Sequence, residues 1–283
     1  MPQVSVNDVT INYHSIGSGE PIIMIAGLGL DHMCWLYQIP FLQQYFRVIV
    51  FDNRGIGNSS ASSGSYSIKM MADDTVSLLQ HLDINKAHVL GYSMGGMIAQ
   101  EIAINYPEQV KKLMLCSTFA KHQPFSEMIT KNMKDLISKN IKNGLEDFTH
   151  SLSFSSLYDM FIHQLFSKDF LKTNQEMVTH TLSHYLSTHS YVETFFKQLY
   201  AIYHHDTLHH LSKIAAETLI LSGDSDKLIP LDCAKFLAKN IPQSSLITVK
   251  NADHVFHIEQ PDRFNHLIFD FLTKKIEPKT MII

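Results

Sequence analysis

Two short runs of alternating apolar and polar residues open the chain, at 4–6 and 9–13. The Asn7-Asp8 pair between them predicts an antiparallel hairpin. The pattern then changes to brief, almost wholly apolar stretches at 22–26, 48–51, 88–90, 112–116, 218–221 and 246–249. Unbroken apolar runs of this kind suit strands covered on both faces of a parallel sheet. Helical periodicity fills most of the gaps. Residues 68–82 place Met71, Val76, Leu78, Leu79 and Leu82 on one face, and 95–106 read as a second helix that Pro107 ends. Alternating strand and helix predicts an α/β fold, a mostly parallel sheet with helices on both faces.

Between Ala120 and Leu211 this rhythm stops. Met128, Ile129, Met133, Leu136, Ile137 and Ile141 recur at helical spacing, and Phe154, Tyr158, Phe161, Phe166, Phe195, Phe196 and Tyr200 make the stretch aromatic. The expected organisation is a core of residues 1–119 and 212–283, interrupted by a helical cap insertion at 120–211. Such an insertion would cover the carboxyl edge of the sheet, where wound folds bind ligands. A separate helical domain is the other reading.

Composition narrows the function classes. Hydrophobic residues make up 45% of the 283 and charged residues 18%, which suits a large core. The formal charge is −4 and Arg occurs only at 47, 54 and 263, so the clustered cations of a nucleic-acid surface are missing. No segment approaches the roughly 18 apolar residues of a membrane span, and the first residues lack a signal peptide's apolar run. Cys34, Cys116 and Cys233 are odd in number and far apart, as expected of reduced thiols in a cytoplasmic protein.

The most informative stretch runs from His88 to Met97. An apolar strand leads straight into Gly91-Tyr92-Ser93-Met94-Gly95, and a helix follows. A Gly-x-Ser-x-Gly string between strand and helix is the context of a nucleophile elbow, where the serine is held on a strained turn with its oxygen exposed. A serine hydroxyl needs a neighbouring base to take its proton. With 17 histidines in the chain, sequence proximity alone identifies none. The loop after the strand at 246–249 offers His254 and His257, and the loop after 218–221 offers Asp224 and Asp226.

Together with Asp52-Asn53-Arg54-Gly55-Ile56-Gly57-Asn58-Ser59, the Gly91–Gly96 segment resembles the α/β-hydrolase superfamily. The nearest groups in resemblance are the small carboxylesterases, the 3-oxoadipate enol-lactonases and the pimeloyl methyl ester esterases. The resemblance selects His254, through the family's Gly-His-x-x-x-x-Glu-x-Pro pattern, with Asp253 standing where glycine is usual. It selects Asp226 through Gly-x-x-Asp-x-x-x-Pro, leaving Asp224 to brace the loop. It also implies an oxyanion hole made of the backbone N–H groups of Leu28 and Met94. Ala26 replaces the family's usual histidine before Gly27, which bears on how that loop is braced.

On this reading Ser93, Asp226 and His254 cleave a carboxylic ester with a small-to-medium apolar acyl group, without cofactor or metal. Ser at the elbow excludes the relatives that use a carboxylate there. An enol-lactone, or a methyl ester on an acyl-carrier protein, is the alternative. Both would favour a cationic contact, and no Arg lies between Ala120 and Leu211, although Lys121, Lys131, Lys134 and Lys168 do. A ligand receptor on the same fold is the alternative of another class. Three features are set aside: His205 and His209 as a solvated helix face, Cys34 as a packing residue, and Asp52 with Arg54 as turn-stabilising ions.

Overall fold

A computed structural model of the protein describes residues 1–121, 162, 165–178, 189–273 and 281–282. The helical periodicity read at 128–141, the aromatic residues Phe154, Tyr158 and Phe161, and Lys131 and Lys134 lie outside the described residues.

Nine strands form one sheet among the described residues. They are β1 (Gln3–Val6), β2 (Val9–Ile16), β3 (Glu20–Ile25), β4 (Phe46–Phe51), β5 (Ala87–Tyr92), β6 (Val110–Cys116), β7 (Glu217–Gly223), β8 (Ser244–Val249) and β9 (Met281–Ile282). Their spatial order is β1-β2-β4-β3-β5-β6-β7-β8-β9. The hairpin of β1 and β2 closes with Val6 opposite Val9 and joins β4 antiparallel, and every other pairing is parallel. The short apolar runs are the central strands, and all six residues of β5 are buried. Near the end of the chain, Met281–Ile282 pairs with β8 at the sheet edge.

Helices cover both faces, as the α/β pattern implied. On one side lie α1 (Ile68–His81), α2 (Met94–Asn105) and α4 (Leu231–Asn240), with α3 (His189–Tyr203) also contributing apolar side chains. On the other side α5 (Pro261–Leu272) packs Phe264, Ile268 and Phe271 against the sheet beside Trp35 and Leu42. Ser67 starts α1 by accepting the Met70 N–H at 3.1 Å, and Met71, Val76, Leu78 and Leu79 form its buried face.

The strand order reverses at one place that matters. From β3 the chain moves outward to β4, then returns to the other side of β3 as β5. The loops after β3 and β5 therefore diverge and leave a crevice at the carboxyl ends, where wound sheets bind ligands.

The loop after β4 is anchored by buried charge. The Arg54 Nε and Nη2 atoms meet the Asp74 carboxylate of α1 at 2.7 and 2.8 Å, and Nη2 also reaches Asp8 in the hairpin turn at 3.0 Å. Arg54 is thus a structural ion, as read from the sequence. Removing one partner of a buried pair strands the other. Asp74→Ala is expected to destabilise the fold by roughly 3 kcal/mol, seen as a lower urea midpoint at unchanged slope, and an unchanged midpoint would refute the pair's role.

Candidate active site

The turn from β5 into α2 is built on contact. A methyl group on Gly91 would lie 2.7 Å from the Gly96 Cα and against the Gly95 carbonyl, and one on Gly95 would strike the carbonyls of Ile25 and Ala26. Only glycine lets strand, helix and the neighbouring strand end approach this closely. Between them Ser93 takes φ 54° and ψ −117°, a conformation that costs a residue with a side chain about 1–3 kcal/mol. It is held there from β6. The Ser93 N–H donates to Cys116 O at 2.9 Å, and the Thr118 hydroxyl donates to Ser93 O at 2.8 Å.

Ser93, His254 and Asp226 form one hydrogen-bonded chain. Ser93 Oγ lies 3.2 Å from His254 Nε2, and His254 Nδ1 lies 2.8 Å from Asp226 Oδ2. The other carboxylate oxygen, Oδ1, accepts the N–H groups of Leu228 and Ile229 at 2.9 and 2.8 Å. Those two bonds fix the carboxylate plane, so Oδ2 faces the imidazole and keeps its proton on Nδ1. Nε2 is left with a lone pair toward the serine hydroxyl. Asp224, the other carboxylate of this loop, is exposed and accepts the Ser225 hydroxyl at 2.9 Å.

His257, the competing histidine, lies in the core. It is fully buried, its ring 4.2 Å from that of Tyr92 and 5.4 Å from that of Trp35. Burial, with the nearby His254 adding to it, pushes its pKa down to about 3. Asp253, in the family's glycine position, is turned inward. It is buried and pairs with Lys227 Nζ at 3.2 Å.

The loop after β3 runs past the serine. A methyl on Gly27 would sit 3.4 Å from Ser93 Cβ and 3.1 Å from the Tyr92 ring, so Leu28 begins beside the nucleophile candidate. Leu30 N–H donates to Gly27 O at 3.2 Å, and Asn53 Nδ2 donates to Ala26 O at 3.3 Å. Gly29 N–H donates to Gln198 Oε1 of α3 at 3.0 Å. Further on, Asp52 Oδ1 accepts both the His32 N–H at 3.0 Å and its ring Nδ1–H at 2.7 Å. Burial raises the Asp52 carboxyl, but His32, the Asn58 and His32 amides and Asn12 outweigh it and hold it below its ordinary value. Burial likewise opposes charge on His32, and Asp52 outweighs it, so His32 titrates higher than usual.

Neither Gln198 nor His32 was legible as a site residue. A lone glutamine on an aromatic helix carries no local signal, and His32 is one of 17 histidines. The reading of His205 and His209 as one solvated face needs correction. The helix ends at Tyr203, and Asp206 bridges to Lys121, so the two histidines do not share a helical turn. His205 is buried, and desolvation pushes its pKa to about 3, whereas His209 is exposed. Cys34 is a buried packing residue whose thiol is pushed up, first by burial.

Comparison with known proteins agrees with this architecture. Residues 20–261 match a family profile described as alpha/beta hydrolase fold. A 3-oxoadipate enol-lactonase 2 of Acinetobacter baylyi is 29% identical over 267 residues, covering 94% of each chain. A RutD protein of Serratia proteamaculans, provisionally named a carbamate hydrolase, is 27% identical over 95% of this chain and 98% of its own. A solved thermophilic esterase from Thermogutta terrifontis is 26% identical, with a TM-score of 0.80 and coverage of 97% and 99%.

Two outcomes are expected. Ser93→Gly relieves the positive φ, and after allowing for glycine's greater freedom when unfolded it should stabilise the fold by about 1 kcal/mol relative to Ser93→Ala. Equal urea midpoints would show the turn to be unstrained. His205 and His257 are held neutral in the fold but take a proton near pH 6.5 when unfolded. Stability is therefore complete above that value and declines as pH falls toward 3, by about 1.4 kcal/mol per pH unit for each histidine. His257→Phe should remove one such contribution from the pH 6 to 4 slope, and an unaltered slope would contradict its buried neutral state.

Proposed function

The chain belongs to the α/β-hydrolase fold family, and on that footing we propose that it is a serine hydrolase in which Ser93 is the nucleophile, His254 the base and Asp226 the acid that orients the base. The observation that carries this reading is the continuous chain from Ser93 Oγ through His254 to Asp226 Oδ2, at 3.2 and 2.8 Å, on a strained elbow. In the proposed reaction Ser93 Oγ attacks the substrate carbonyl carbon as His254 Nε2 takes its proton. The tetrahedral intermediate collapses, the alcohol leaves with that proton, and the acyl group stays on Ser93. Water then gives a proton to His254 and attacks the acyl carbon, and the second intermediate releases the acid as Ser93 Oγ takes that proton back from His254.

The N–H groups of Leu28 and Met94 are the proposed oxyanion donors. Met94 is the first residue of α2, and an amide at a helix start has no partner within the helix. Leu28 is supported by its neighbour. In a trans peptide N–H and C=O point in opposite directions. Leu30 holds Gly27 O at 3.2 Å, so the Leu28 N–H is turned the other way.

The substrate we propose is an ester with a small-to-medium apolar acyl group, taken under a cap formed by residues 120–211. Described cap residues beside the base support this. Leu165 O accepts the Val255 N–H at 3.3 Å, one residue from His254, and the rings of Phe166 and Phe170 stack 5.4 Å apart. An enol-lactone is the second reading, favoured by the 29% identical relative of that name.

Hydrolysis of p-nitrophenyl butyrate tests the proposal. Turnover is expected from the wild type, with loss in Ser93→Ala, a fall of about ten-thousandfold in Asp226→Asn, and fluorophosphonate labelling at Ser93. An unlabelled, inactive wild type would defeat the serine-hydrolase reading. A lactone preferred over the ester by orders of magnitude would replace the substrate class.

A further inference from the structure

The loop that carries Leu28 is pinned at three successive peptide planes. Asn53 Nδ2 holds Ala26 O at 3.3 Å, Leu30 N–H holds Gly27 O at 3.2 Å, and Gln198 Oε1 holds Gly29 N–H at 3.0 Å. The first bond comes from the loop after β4 and the second from within the loop itself. The third comes from α3, far along the chain, and closes on a glycine with φ 67°.

Gln198 is an unusual residue for its position. It is completely buried, and Thr194, one turn earlier on the same helix, is also buried, against Gly55 of the loop after β4. A backbone N–H can be accepted only by the amide oxygen, so the identity of Oε1 follows from the bond to Gly29. The remaining Nε2 is buried and has no hydrogen-bond partner among the described residues. An apolar side chain would pack there without that unmet donor. What the glutamine supplies in return is an acceptor for one amide in the loop beside Ser93.

We propose that Gln198 is a positioning residue. It fixes the Leu28–Gly29 peptide and so keeps the adjoining Gly27–Leu28 peptide, whose N–H faces the developing oxyanion, from rotating, bracing from the cap side a loop in which Ala26 stands where relatives have histidine. The proposal rests on the serine-hydrolase reading. It makes the seating of α3 part of transition-state stabilisation, because α3 carries the acceptor. Ground-state binding depends on other contacts.

The test compares Gln198→Met, of similar shape without an oxygen, with Gln198→Glu, which keeps one. p-Nitrophenyl butyrate kinetics are measured alongside binding of butylboronic acid, a mimic of the tetrahedral oxyanion, and of butyrate, a product. Gln198→Met is expected to lower kcat by about tenfold to a hundredfold, with KM within about threefold. Boronate binding should weaken in step with kcat, butyrate binding should not move, and Gln198→Glu should restore most of kcat. Wild-type kcat in Gln198→Met would overturn the proposal, and so would equal losses of boronate and butyrate binding, which mark a merely structural role. In either case an active wild type leaves the serine-hydrolase reading standing. A wild type that neither turns over ester nor binds boronate overturns both.

Discussion

The contact between β5 and α2 is the constraint on which the rest of the site depends. With no side chain at Gly91 or Gly95, the strand, the helix and the end of β3 meet at backbone distance, and Ser93 is forced to a φ of 54°. That single turn sets three things together. It lifts the hydroxyl out of the sheet, brings Met94 to the helix start, and seats Gly27 against the serine. Bonds from Cys116 and Thr118 keep the turn from relaxing, so the strain is supported by the β6 end and not by the elbow alone.

Around this point the loops are held by polar groups with divided duties. Asp226 gives one oxygen to backbone amides and the other to His254. Asp52 does the same between the loop after β3 and the loop after β4, taking His32 on one oxygen and Asn12 with the Asn58 amide on the other. Such sharing keeps a buried carboxylate hydrogen-bonded while it joins segments distant in sequence. His257 shows the opposite case. Three residues from His254, it is surrounded by aromatic rings and kept neutral, and it fills space between Tyr92, Trp35 and Phe264. Its place beneath Tyr92, whose ring also meets His254, makes it part of the floor of the site.

Burial on both faces made the central strands legible as continuous apolar runs, and helical periodicity marked α1 and α2, because those patterns are local consequences of a covered sheet. Gly91-x-Ser93-x-Gly95 was legible for the same reason: the contact that demands glycine acts on residues next to the serine. Strand ends narrowed the base to His254 or His257 and the acid to Asp224 or Asp226, and the resemblance to the family's motifs chose between them. The sequence by itself therefore determined the fold class, the elbow and the small set of side chains able to reach it. Only the tertiary structure decided how they are wired. Asp253 to Lys227, His32 to Asp52 and Gln198 to Gly29 join residues 20 to 169 positions apart. Such bonds leave no periodicity or spacing behind, since each is set by where packed elements bring two side chains and not by the residues on either side.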